Sequence, residues 1–144
     1  MNNKMGLSFF LIILLGGCSY TAEDAIENNE VVSGPGAAPE GENVHLLEDF
    51  IVNMELGESD EVRVTQFTDE GDPIFIDLVY ENNGLEVTYN DRHDEYAKPY
   101  GTFTVTCEDI EANTQGNETS YRVIGCDHEL ETIGLIITEN QTEW

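Results

Sequence analysis

The run Ile74-Phe75-Ile76-Asp77-Leu78-Val79-Tyr80-Glu81-Asn82-Asn83-Gly84-Leu85-Glu86-Val87-Thr88-Tyr89-Asn90 carries two stretches of period two around a turn signal. Ile74, Ile76, Leu78 and Tyr80 alternate with Phe75, Asp77 and Val79, and Leu85, Val87 and Tyr89 alternate with Glu86, Thr88 and Asn90. Successive side chains of an extended chain point to opposite sides, so each stretch reads as a half-buried strand. Asn83-Gly84 is the strongest turn signal in the chain, because Asn and Gly tolerate the positive φ angles that a tight hairpin demands. A two-residue hairpin there sets Tyr80 opposite Val87 and Leu78 opposite Tyr89.

Upstream, Val62 and Val64 alternate with Arg63 and Thr65. A turn over Thr68 to Asp72 then sets Val64 opposite Ile76 and Val62 opposite Leu78, and brings Arg63 opposite Asp77 on the other face. Before this strand, Leu46, Leu47, Phe50, Ile51 and Met54 recur at three- and four-residue spacing, with Glu48, Asp49, Asn53 and Glu55 opposite. That spacing predicts a short amphipathic helix capped by Asn43 and stopped by Gly57. Downstream, Phe103, Val105 and Cys107 suit a fourth strand, Tyr121, Val123 and Gly125 a fifth, and the apolar run Thr132 to Thr138 a sixth. The expected fold is α+β: one N-terminal amphipathic helix packed on an antiparallel meander sheet of about five or six strands.

Farther out, Lys4 precedes an apolar run from Met5 to Leu15, and Leu15-Gly16-Gly17-Cys18 has the small-residue-then-Cys pattern of a bacterial lipoprotein box. The run is too short and wrongly flanked for a spanning helix. Residues 1–17 are therefore expected to be a signal peptide, with Cys18 as the lipidation site. Its thiol would carry diacylglycerol and its amine a further acyl chain such as palmitate, enough for stable anchoring. Residues 18–43, acidic and poor in apolar side chains, read as a flexible tether of about 25 to 30 Å. Residues 44–138 read as a single domain and 139–144 as a tail, with Trp144 near its end.

The chain has 30 Asp and Glu against 5 Lys and Arg, and Lys4 would leave with the signal. Such a surface excludes nucleic acid as a natural partner, because a phosphate backbone needs cationic counterparts. It also disfavours docking on anionic headgroups. Adaptation to salt or alkali accounts for it first, and an acidic patch for divalent cations or a cationic partner second. Cys107 and Cys126 remain after Cys18 is lipidated, and an even pair in an oxidising compartment reads as a disulfide. A turn at Gly116-Asn117 would place them directly opposite each other, at about the 4.5 to 5.5 Å of strand partners.

No arrangement of residues points to catalysis. The serines of the mature chain lie in no nucleophile elbow, and no Gly-rich phosphate loop is present. Asp69 and Asp72, within Asp69-Glu70-Gly71-Asp72-Pro73, hold carboxylates in one turn, and Asp91, His93 and Asp94 form a second cluster. These five are the weak candidates for a metal such as Ca²⁺, although the spacing of a calcium loop is lacking. Asp127, His128 and Glu129 would chelate a transition metal only with a further ligand brought in by folding. Tyr89, Tyr96 and Tyr100 are the weak candidates for a ligand pocket beside the 91–101 loop. No cofactor is otherwise expected.

The segments Glu61-Val62-Arg63-Val64, Glu70-Gly71-Asp72-Pro73-Ile74-Phe75, Asp77-Leu78-Val79-Tyr80 and Val87-Thr88-Tyr89-Asn90-Asp91, with the later Cys107 and Cys126, resemble a family of uncharacterised lipoproteins from Gram-positive, spore-forming bacteria that carries a domain of unknown function. The resemblance covers roughly residues 44 to 137, and the turn from Glu70 to Phe75 is its most specific part. It implies an outer-face membrane lipoprotein with a disulfide and brings no activity or catalytic residue with it. The expected function is that of a non-catalytic cell-surface lipoprotein, a monomer serving as a binding or interaction module for a cationic or envelope protein partner. The alternative is an accessory protein of envelope transport or sensing that binds a divalent cation or small ligand; an enzyme comes third.

Overall fold

The computed structural model describes residues 19–37, 41–96, 101–127 and 132–139. In chain order the elements are α1 (Ala22–Glu27), β1 (Val31–Ser33), α2 (Val44–Leu56), β2 (Asp60–Phe67), β3 (Pro73–Glu81), β4 (Gly84–Asn90), β5 (Thr102–Cys107), β6 (Asp109–Gln115), β7 (Glu118–Ile124) and β8 (Thr132–Glu139). They form a five-stranded sheet, β1-β2-β3-β4-β5, and a three-stranded sheet, β6-β7-β8. Eight strands in two sheets against helices of 6 and 13 residues make the described chain mostly β. This overturns the α+β expectation of one helix laid on a single meander.

Three features of the chain explain the difference. Val31 and Val32 are wholly buried, and β1 pairs in parallel with β2 through Val31↔Val64, Val32↔Thr65 and Ser33↔Gln66. Parallel neighbours need a crossover, and α2 supplies it. Second, the Gly116-Asn117 turn closes on a strand of its own, because β6 pairs with β7 from Asp109↔Ile124 to Gln115↔Glu118. Its residues are mostly polar and only Ile110 is fully in the core, so no alternation announces it. Third, residues 22–33, within the expected tether of 18–43, fold as α1 and β1. Thr21 and Asp24 bond reciprocally across the first turn of α1, where two orphan backbone donors would otherwise be left. The signal segment 1–17, Cys18 and residues 140–144 of the expected tail with Trp144 lie outside the described residues.

In the β2–β3 ladder the pairings Val64↔Ile76, Val62↔Leu78 and Arg63↔Asp77 follow the register expected from the Thr68–Asp72 turn. The next hairpin is shifted by two residues from the one expected. Asn82 and Asn83 occupy the tight turn, with φ of 50° and 61°, and Tyr80 faces Leu85 while Leu78 faces Val87. A shift of two keeps every side chain on its face, so the core is unchanged.

Leu47, Phe50 and Met54 of α2 are buried against Val31, Val64, Ile76, Leu78 and Val87 of the large sheet, together with Tyr121, Val123, Leu135 and Ile136 of the small one. A bulge in β8 puts Leu135 between the partners of Tyr121 and Arg122, which lets the neighbours Leu135 and Ile136 both enter the core. Asn43 makes no side-chain cap on α2; its amide instead donates to the Glu30 carbonyl at 3.1 Å, tying the helix start to β1. Gly57 ends α2 at φ 75°, with its N–H returned to the last turn.

Cys107 ends the large sheet, and Cys126 follows the central strand of the small one. They form a disulfide with Cα atoms 3.9 Å apart. The register that the Gly116-Asn117 turn sets in β6 and β7, Asp109↔Ile124, continues to put Cys107 opposite Cys126, while on its other side Cys107 faces Leu85 of β4. The Asp127 N–H donates to the Thr106 carbonyl at 2.9 Å and the Glu108 N–H to the Ile124 carbonyl at 3.1 Å, so the bridge fastens the two sheets where the chain crosses between them. Closing a loop of this length contributes about 3 kcal/mol.

Candidate functional site

β1 covers only part of β2. Residues 64–66 have β1 as neighbour, whereas residues 60–63 have β3 on one side and, among the described residues, no strand on the other. This open half-edge borders a cavity of about 700 Å³. Asn28, Asn29 and Glu30 close one end, Leu46 and Asp49 of α2 form a wall, and Arg63, Asp77, Val79 and Thr88 line the part that reaches the outer face of the sheet. Five carboxylates line it, from Glu30, Asp49, Asp60, Glu61 and Asp77, against the single cation of Arg63.

That cation is already taken. Arg63 Nε donates to Asp77 Oδ1 at 2.6 Å and Nη2 to Oδ2 at 3.0 Å, and its Nη1 lies 3.8 Å from Glu30 Oε1. The guanidinium also stands over the Phe75 ring, 5.1 Å from its centroid. The Asp77 bonds, with Glu30 adding to them, hold its proton even more firmly than usual. The groove therefore presents uncompensated negative charge.

Glu30 is only 7% exposed, a rare burial for a carboxylate, and its oxygens are used. Tyr20 OH donates to Oε1 at 2.7 Å and Thr65 Oγ1 donates to Oε2. Asn28 Nδ2 donates to the same phenol at 3.0 Å, and the Tyr20 ring meets Phe75 edge-on at 5.3 Å. Burial raises the Tyr20 phenol above its ordinary 10, with the neighbouring Glu30 acting in the same direction. Sequence reasoning missed this network because Tyr20 to Glu30 fell in the presumed tether. The Thr21-x-x-Asp24 cap and the Val31-Val32 pair were the available signals.

The sequence-derived candidates disperse. The turn over Thr68 to Asp72 and the loop after β4 do meet: the Glu95 N–H donates to Asp72 Oδ2 at 3.3 Å. Asp69 is exposed, Asp91 is 4% exposed, Asp94 Oδ1 accepts the Tyr96 N–H at 2.9 Å, and His93 packs edge-on to Phe75 at 5.7 Å. Among the described residues no three His, Cys, Asp or Glu side chains converge as a metal site. Tyr89 stacks on Phe103 at 5.2 Å, whereas Tyr96 is 73% exposed. Tyr100, His128 and Glu129 lie outside the described residues, as does Cys18.

A family model described as a domain of unknown function (DUF4362) matches residues 28–122. That span begins at the Asn28–Glu30 end of the groove and includes every other residue that lines it. No curated protein and no solved structure matches the chain.

Proposed function

We propose, for a chain that belongs to the DUF4362 family of domains of unknown function, the role of a non-catalytic binding module on the outer face of a bacterial cell membrane. Cys18 carries the lipid anchor, and the module acts as a monomer. Its ligand is an extended peptide segment bearing Lys or Arg, laid along the open edge of β2. The observation that carries this reading is the half-edge at residues 60–63, with which no strand among the described residues pairs on its open side, set in a groove of five carboxylates whose one cation is neutralised. A strand edge offers main-chain hydrogen bonds to an incoming strand, and the surrounding charge selects its side chains.

Titration of the folded protein with a ten-residue peptide alternating Lys and Val, against a Glu and Val counterpart, tests the reading. The cationic peptide is expected to bind, to shift the amide resonances of residues 60–63, and to lose affinity with salt. Glu61→Lys with Asp49→Lys should weaken it about tenfold, the effect of roughly 1.4 kcal/mol of lost charge attraction. Equal binding of the acidic peptide, or shifts confined to other strands, would overturn it.

A further inference from the structure

We propose that the face carrying Tyr20, Phe75 and the 91–96 loop rests against the lipid headgroups, held there by the acylated Cys18. The inference depends on the anchoring part of the proposed function and adds to it an orientation. Two peptide units separate Cys18 from Tyr20, so their Cα atoms are at most about 8 Å apart. Tyr20 does not swing freely at the end of that link. Its phenol is fixed between Glu30 and Asn28 and its ring lies against Phe75. A lipid thioether at Cys18 therefore brings the Tyr20–Phe75 end of the outer face to within a few ångströms of the membrane surface, with no room for a long spacer.

The chemistry of that face suits the position. Phe75 links Tyr20 to His93, which places the loop after β4 beside the anchor. In this loop Tyr96 is 73% exposed, and aromatic rings with a polar tip favour the headgroup zone. Arg92 is exposed, and among the described residues no carboxylate pairs with it, whereas Arg63 and Arg122 are both ion-paired. Glu95 and the first turn of α1, with Glu23 and Asp24, oppose deeper entry into an anionic surface, so the contact stays at headgroup level. α2 and its exposed Leu56 cover the other face of the sheet and point away.

The test uses the full acylated chain in vesicles whose lipids carry a spin label on the headgroup. With Trp144→Phe removing the single native tryptophan, one probe is placed by Tyr96→Trp and another by Leu56→Trp, and the mass of the amino-terminal peptide reports acylation. Quenching at position 96 is expected to exceed that at position 56 several-fold. Inserting about twenty Gly and Ser residues between Cys18 and Tyr20, a coil of roughly 25 Å, should abolish the difference. Acylated protein with equal quenching at the two positions overturns the orientation alone. A difference that survives the inserted spacer overturns the part played by the short link, and an unmodified Cys18 overturns the anchor and the orientation together.

Discussion

At the scale of single residues, Glu30 shows how this acidic chain keeps one carboxylate inside. Two hydroxyls, from Tyr20 and Thr65, donate to its oxygens and Arg63 stands nearby. Removing a donor leaves a buried acceptor unsatisfied, so Tyr20→Phe should destabilise the fold by about 1 kcal/mol at neutral pH. The same change has a signature in alkali. Burial holds the phenols of Tyr20 and Tyr121 above their ordinary 10, with Glu30 assisting at the first and Glu48 at the second. The unfolded chain releases those protons near pH 10 while the folded chain keeps them. Stability is therefore whole below that pH and falls as pH rises through the folded values. Denaturant titrations at neutral pH and above pH 10 should show a shallower alkaline fall in Tyr20→Phe than in the parent. An unchanged slope would remove Tyr20 from the account.

At the scale of elements, β1 decides whether residues 19–43 are dispensable. A tether could be cut away, but Val31 and Val32 are fully buried, and burying such side chains contributes about 1.5 to 3 kcal/mol each. A chain beginning at Asn43 is expected to lose several kcal/mol and to melt far lower, or not to fold, when followed by circular dichroism. Survival of the parent melting temperature would return the segment to the status of a linker. The central strands were legible because alternation in β2, β3 and β4 coincides with one buried face, and the Arg63↔Asp77 pairing followed once the Thr68–Asp72 turn fixed the register. β1 was not, because three residues in parallel pairing hold no period and their partners lie far along the sequence. β6 was hidden by its polarity, and the hairpin turn fell at Asn82-Asn83 since two consecutive Asn residues with positive φ meet the requirement that Asn-Gly usually signals. The groove was invisible for a related reason: it exists only because β1 stops short along β2.

At the scale of the whole molecule, a formal charge of −25 dominates. Self-repulsion at this density should be relieved by salt without any specific site. Between about 0.1 M and about 1 M NaCl the screening length shrinks from roughly 10 Å to 3 Å, and the melting temperature should climb steadily across that range. A rise that instead saturates near 1 mM Ca²⁺ would reveal a cation site that no group of described side chains forms. The parallel pairing of β1 with β2 also bears on the order in which the molecule can be made. A polypeptide emerging from its amino end presents Val31-Val32 first, while the strand that shelters them, and the crossover between, are still to come. That sticky pair must wait, exposed, until Val64 and Thr65 arrive, and during this interval a chaperone or an unwanted neighbour has its best opportunity to capture the newborn protein.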